Sequence, residues 1–239
     1  MKEYSKLQEI KQSKKKYAEF ITNDNLRRFL AEKVKEYCGD IPLNVIDICA
    51  GSGQLCQYLN IKNLKAVEIQ KDSCQTLKEN FPNAEIYNQS FFTYQDTNDN
   101  DVVVCNYPFS LKFKELTQDD KDNIKKLFQY KKSGICDDIF ILKSLLNAKR
   151  YAFIICAAGI SFRNDSKILR QKIGNNLAEL INCTDCFSDT KINVLLMIID
   201  LQKTNNTYKT SLYDGSKNCI LSQDIKEVNT EMYYCLNKI

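Results

Sequence analysis

The chain has 239 residues, of which 44% are hydrophobic and 27% charged, with a net charge of +4 and no histidine. That is enough apolar material for one sizeable α/β core. No run approaches the ~20 consecutive apolar residues of a membrane-spanning helix, and the start, Met1-Lys-Glu-Tyr-Ser-Lys, is polar rather than signal-like, so the expectation is a cytoplasmic chain with no membrane partner.

Without imidazole the commonest general acid or base is missing, which favours a reaction whose leaving group is already activated. Eleven cysteines are present, but Cys49, Cys56, Cys105 and Cys156 fall inside apolar runs, and free buried thiols are expected. Cys183-Thr-Asp-Cys186 is a lone CxxC with no second half, so no metal site is expected. Residues 1–35 hold ten Lys/Arg against five Asp/Glu. Their run from Lys11 to Lys16 reads either as a solvated face or as a segment meeting phosphates.

In chain order, Asn23 is placed to cap a helix whose apolar positions Leu26, Phe29, Leu30, Val34 and Tyr37 recur at helical spacing, and Gly39 ends it. A strand at 43–48 leads through Gly51-Ser-Gly53 into a short helix at 54–59, and a second strand follows at 64–69. Then come a helix at 71–80 stopped by Phe81-Pro82, strands at 85–87 and 101–105, a polar helix or loop at 115–132, and an amphipathic helix at 137–146. A buried strand at 151–156, a helix at 165–174 and strands at 177–181 and 192–201 continue the alternation. Thr210 to Tyr213 reads as an edge strand and 224–236 as a closing helix. The alternation predicts an α/β fold, a parallel or mixed sheet with helices on both faces.

Two places carry chemistry. Asp47-Ile-Cys-Ala50-Gly51-Ser-Gly53 passes from the first strand into a helix, where open α/β sheets bind nucleotides. Glycine there lets backbone approach a ligand closely. Glu68, at the end of the next strand beside Ile69, is placed to accept both hydroxyls of a ribose. Neither the third glycine of GxGxxG nor the P-loop lysine is present, which disfavours nicotinamide dinucleotides and Walker-type phosphate binding.

The second place is Asn106-Tyr107-Pro108-Phe109, directly after the strand at 101–105. Alone it is an ordinary turn. In this position it suits a planar amine, whose delocalised lone pair makes it a poor nucleophile: the Asn106 side-chain oxygen and the Tyr107 carbonyl accept both N–H bonds, Pro108 stiffens the turn, and Phe109 stacks on an extruded base.

The order of these motifs resembles the N6-adenine DNA methyltransferases in which the cofactor site precedes a catalytic Asn-Pro-Pro-Phe/Tyr, and above all the modification subunit of type I restriction-modification systems, over about residues 15–215. The resemblance implies a Rossmann-like class I fold with a mostly parallel seven-stranded sheet and helices on both faces, and S-adenosyl-L-methionine as cofactor. It also implies N6-methylation of adenine in DNA, with DNA and a specificity subunit or other target-recognition partner. Thr22, closing Lys16-Tyr-Ala-Glu-Phe-Ile-Thr22, takes the place of the residue that contacts the methionine part of the cofactor. Asn88-Gln-Ser90-Phe91-Phe92 is similar to the motif that holds the cofactor's adenine, with Ser90 where Asp is usual. Asp47, Ala50, Gly51, Gly53, Glu68, Ile69 and Asn106 complete the implied cofactor set.

Cys136-Asp-Asp-Ile-Phe-Ile141, Ile168-Leu-Arg170, Phe187-Ser-Asp-Thr190 and Leu212-Tyr-Asp-Gly-Ser216 resemble, in order, the later half of that subunit's catalytic domain. Residues 1–40 then form a helical cap carrying a cofactor-site motif, 41–203 the catalytic core, and 204–239 an edge strand and helix, in a single domain. No helical amino-terminal domain or target-recognition domain is apparent, so sequence-specific DNA reading is expected to come from a partner, from a short loop, or not at all. The lysines at 112, 114, 125, 126, 131 and 132, interleaved with Phe113, Phe128 and Tyr130, suit either a backbone-tracking surface or a solvated helix. The same device also serves methyltransferases of RNA bases and of protein glutamine, and departures at Tyr107 and Ser90 fit a drifted, cofactor-binding scaffold subunit as well.

Overall fold

The computed structural model describes residues 22–95, 99–184, 186, 193–215 and 219–237. The lysine run 11–16, the motif stretch 16–21, the motif at 187–190 and Ser216 lie outside the described residues.

Helix α1 (Asp24–Cys38) begins as its sequence directs: the Asn23 side chain accepts from the Leu26 amide at 2.9 Å, and Gly39 ends the helix at φ 82°. Its apolar stripe of Leu26, Phe29, Leu30 and Val34 is buried. Phe29 stacks on Tyr213 with centroids 3.8 Å apart. The buried Lys33 ammonium lies 2.9 Å from the Glu179 carboxylate, which also accepts from Tyr37 at 3.1 Å and Ser211 at 2.5 Å. The helix is thereby fixed across the sheet, and its N-terminus delivers Thr22 to the site.

Among the described residues the sheet has nine strands: β1 (Leu43–Asp47), β2 (Ile61–Glu68), β3 (Glu85–Asn88), β4 (Asn100–Asn106), β5 (Ala148–Ala157), β6 (Leu177–Thr184), β7 (Val194–Asp200), β8 (Tyr208–Asp214) and β9 (Cys219–Ile225). Their spatial order is β3-β2-β1-β4-β5-β7-β6-β8-β9. The first five are parallel, β7 runs antiparallel between β5 and β6, β8 is parallel to β6, and β9 is antiparallel to β8. The uninterrupted apolar runs Val102–Cys105 and Ala152–Cys156 are the centre of the core, as expected for parallel strands covered on both faces. The other α-helices among the described residues are α2 (Lys71–Asn80), α3 (Gln118–Leu127), α4 (Asp137–Leu145) and α5 (Lys167–Ile173). The ten cysteines whose side chains are described form no disulfide.

Four expectations are corrected. The sheet expected to have seven strands has nine among the described residues. The helix expected at 54–59 is a single 3-10 turn, Gln54–Cys56. Residues 210–213 lie in β8, inside the sheet and not at its edge, because β9 pairs outside it. The closing helix expected at 224–236 is the end of β9 followed by a segment without regular structure. That segment finds its backbone partners among core side chains: Arg170, fully buried, donates to the carbonyls of Thr230 and Glu231, Asn182 donates to Leu236 O at 3.0 Å, and Thr210 Oγ1 accepts from Leu236 N at 3.1 Å. Backbone satisfied this way gains little from becoming a helix.

From β1 the chain winds outward through β2 to β3, then returns to place β4 on the other side of β1. The winding reverses there, and the crevice at the carboxyl ends of such strands is where open α/β sheets bind ligands. The last residues of β1 to β4 are Asp47, Glu68, Asn88 and Asn106.

Candidate active site

At the end of β1, Asp47 is buried beneath the glycine turn: it accepts from the Cys49 amide at 3.3 Å and from the Cys56 thiol at 3.7 Å. It braces the turn from below and does not line the cleft. Burial pushes its pKa from the ordinary 3.8 up to about 7. The folded chain therefore holds this proton more tightly than the unfolded chain, so ionising Asp47 costs native stability, and the cost grows as pH rises from about 4 to about 7. The chain has no histidine to titrate in this window, and the other described carboxylate pushed into it is Asp137, at about 6. Asp47→Asn, which keeps an acceptor for the Cys49 amide, is expected to flatten most of the decline in denaturation midpoint between pH 5 and pH 8. An unchanged slope would contradict the placement.

Gly53 sits at φ 82°, and a Cβ there would lie 2.8 Å from the Phe81 ring and 3.4 Å from Leu77. Both the backbone conformation and the space require glycine. Gly53→Ala is expected to cost about 1–3 kcal/mol of stability, read as a shift in unfolding midpoint; a neutral result would mean that the turn and α2 are not packed as described. Gly53 supports the turn from outside the cleft.

The Glu68 carboxylate at the end of β2 accepts from the Gly51 amide at 2.8 Å and from the Gln70 amide at 2.7 Å. A carboxylate accepts about four hydrogen bonds, so this arrangement both fixes the group and leaves it suited to a ribose diol. Asn88 secures the same strand end by donating to the carbonyls of Glu68 at 2.9 Å and Ile69 at 3.0 Å. Ile69 is 55% exposed at the cleft, an apolar surface set for a ligand ring.

After β3, Ser90 caps its own turn: its hydroxyl accepts from Phe92 N at 3.2 Å and its carbonyl from Tyr94 N at 3.1 Å. The turn is held from behind by Lys143 of α4, whose buried ammonium donates to the carbonyls of Phe91 and Tyr94 and lies 4.6 Å from the Phe91 ring centroid. Burial lowers the Lys143 pKa to about 8. Sequence reasoning missed this lysine; its trace was a cation in the apolar run Ile139-Phe-Ile-Leu-Lys143.

At the end of β4, the Asn106 side-chain amide donates to Thr22 Oγ1 at 2.9 Å. That bond assigns the nitrogen to Thr22 and gives Oδ1 the acceptor role. Tyr107, where the resembling family has proline, is fully buried, with its ring stacked on Phe140 at 5.0 Å and edge-on to Phe109 at 5.5 Å. Packing replaces the stiffness that a proline would supply. Ser110 then takes φ 63°, uncommon for a residue with a side chain, and its amide donates to Asp137 at 3.0 Å. Asp137 and Phe140 thus position the turn, a role invisible in the tetrapeptide itself.

The cleft encloses about 1250 Å³, counting space open to solvent. It brings together Thr22, Ala50, Gly51, Glu68, Ile69, Ser90, Phe91, Asn106, Tyr107 and Pro108. Asp47, Gly53 and Phe109 stand outside its lining. Phe109, expected to stack on a base, is turned inward against Tyr107, where a phenyl ring is shielded from water. The expected nucleic-acid surface also changes: Phe113 and Phe128 are core residues, and Lys131 is buried at 2.6 Å from Asp138. Lys112, Lys114, Lys125, Lys126 and Lys132 remain exposed. Among the described residues no cluster of His, Cys, Asp and Glu could hold a metal ion, and no helix is long and apolar enough to cross a membrane.

The fold is shared with solved structures at low identity. The type I restriction-modification system methyltransferase subunit from Streptococcus thermophilus aligns at TM-score 0.68 and 18% identity, covering 83% of this chain and 48% of that one. The modification subunit of a candidate type I restriction enzyme from Vibrio vulnificus aligns at 0.66 and 13%, covering 95% and 62%. A candidate class I S-adenosylmethionine-dependent methyltransferase from Listeria monocytogenes aligns at 0.66 and 12%, covering 81% and 65%. The chain thus spans about half to two thirds of the length of these structures. No curated protein matches the sequence. The N-6 DNA methylase family matches residues 3–232, nearly the whole length, and the chain belongs to that family.

Proposed function

We propose that this chain transfers a methyl group from S-adenosylmethionine to the exocyclic N6 amine of adenine in DNA, as the modification component of a restriction-modification system, with target reading supplied by a separate specificity partner. The family and its structural neighbours are S-adenosylmethionine-dependent methyltransferases, and the cleft residues fit that cofactor. Glu68 offers a fixed carboxylate to the ribose hydroxyls, Ile69 and Phe91 offer apolar faces to a purine, and Gly51 allows close approach of the backbone. When bound, the cofactor supplies a methyl already activated on a sulfonium.

The observation that carries the reading is the Asn106–Thr22 hydrogen bond at 2.9 Å. With its nitrogen committed to Thr22, Asn106 presents Oδ1 to one hydrogen of the substrate amine, and the Tyr107 carbonyl accepts the other. Both acceptors draw the nitrogen lone pair out of conjugation as the carbon–nitrogen bond forms, and the surplus amine proton, made acidic by that bond, leaves to water. No imidazole is required, in keeping with a chain that has none. The buried ring of Tyr107 and the Ser110–Asp137 bond hold these acceptors still, so little reorganisation is needed at the moment of transfer.

The acceptor class is tested with labelled S-adenosylmethionine and three substrates in parallel: adenine-unmethylated DNA, total RNA and extract protein. Label that is released by DNase alone is the expected result. Label released by RNase or protease would replace the acceptor with an RNA base or a protein amide.

A further inference from the structure

The cofactor's adenine carries an exocyclic amine with two N–H donors, and the residue expected to accept from it, Ser90, is occupied with its own turn: its hydroxyl accepts from Phe92 N at 3.2 Å. A neutral hydroxyl is in any case a weaker acceptor than a carboxylate. A buried carboxylate stands at the same cleft. Asp120, in the first turn of α3, is 4% exposed and lines the cleft with Phe91, Leu116 and Phe140.

Half of that carboxylate has a structural task. Thr117, the N-cap, donates its hydroxyl to Asp120 Oδ2 at 2.8 Å and accepts from the Asp120 amide at 3.2 Å. The other oxygen, Oδ1, is buried and has no hydrogen-bond partner among the described residues. Capping the helix needs one oxygen and does not account for the second, and leaving a buried charged acceptor unpaired is costly. No described cation bonds to it: the Lys143 ammonium donates to the carbonyls of Phe91 and Tyr94 instead. Asp120 and Phe91, the residue read as facing the cofactor's purine, line the same cleft.

We propose that Asp120 Oδ1 is the acceptor for the exocyclic amine of the cofactor's adenine, taking over the task that the family's motif would give to position 90. The proposal rests on S-adenosylmethionine occupying this cleft, and it makes Asp120 the residue that selects adenine over other purines.

Calorimetric binding of S-adenosylhomocysteine and of S-inosylhomocysteine, which has a carbonyl in place of the amine, tests it on the full chain without any methyl acceptor. The wild type is expected to prefer the adenine form by about tenfold or more, the worth of a charge-assisted hydrogen bond. Asp120→Ala is expected to lose that preference by weakening the adenine form alone. Asp120→Asn keeps the side-chain shape but offers an N–H, and is expected to narrow or reverse the preference. Thr117→Val removes the cap bond; it is expected to lower the melting temperature and keep the preference, which separates ligand recognition from helix stability. Preference retained in both Asp120 variants, lost in Ser90→Ala, or lost equally in Thr117→Val would overturn the assignment. If the wild type binds neither ligand, the cofactor reading itself falls; if it binds both equally, only the role of Asp120 does.

Discussion

Asn106→Ala is expected to lower methyl transfer by at least about 10²–10³-fold, the scale seen when a preorganised hydrogen-bonding group is removed from a reacting centre, while S-adenosylhomocysteine affinity stays within about tenfold. The two effects separate because the groups are separate. Cofactor recognition is assigned to Glu68, Ile69 and the Phe91 turn, at the ends of β2 and β3, whereas Asn106 closes β4. The hydrogen bonds that Asn106 makes to a substrate amine strengthen as that nitrogen becomes positive, so their loss appears in the rate and little in ground-state binding. Single-turnover transfer and calorimetry on the same preparation read both numbers. A variant with wild-type turnover would remove Asn106 from the chemistry, and one that loses cofactor binding as severely as transfer would make it a structural residue.

Glu68→Ala is expected to weaken S-adenosylhomocysteine binding by about 100-fold. Two charge-assisted hydrogen bonds to the ribose hydroxyls are worth about 3 kcal/mol together after solvent exchange, and each 1.4 kcal/mol is tenfold in affinity. The same substitution leaves the amides of Gly51 and Gln70 without the carboxylate that accepts from them at 2.8 and 2.7 Å, so the glycine turn loosens as well. Glu68→Gln should not rescue binding, because its NH₂ group would face one of those N–H donors. Affinity within threefold of wild type in both variants would show that the ribose lies elsewhere.

What the sequence made legible is local. The glycine turn, Glu68 and Asn106 fall at strand ends because apolar runs of strand length stop there, and the order of those ends along the chain follows from parallel winding. The cap at Asn23 and the stop at Gly39 are equally local. The rest depends on partners distant in sequence. Nothing near residue 110 announces that Ser110 will take a left-handed conformation held by Asp137, nor does Lys143 advertise the two carbonyls about 50 positions upstream that it grips. Phe109, Phe113 and Phe128 read as faces for bases when only their neighbours are considered, yet each is more stable in the core. The C-terminal segment has a helix-like pattern, but Arg170, Asn182 and Thr210 satisfy its backbone, a tertiary effect that overrides propensity.

The most direct measurement is the nucleoside composition, by mass spectrometry, of adenine-unmethylated DNA incubated with the protein and S-adenosylmethionine, with and without a candidate specificity partner. The expected result is N6-methyldeoxyadenosine that accumulates with time and is absent with Asn106→Ala. Methyl found on cytosine, or only in RNA or protein acceptors supplied alongside, would contradict the assignment of the cleft to adenine in DNA.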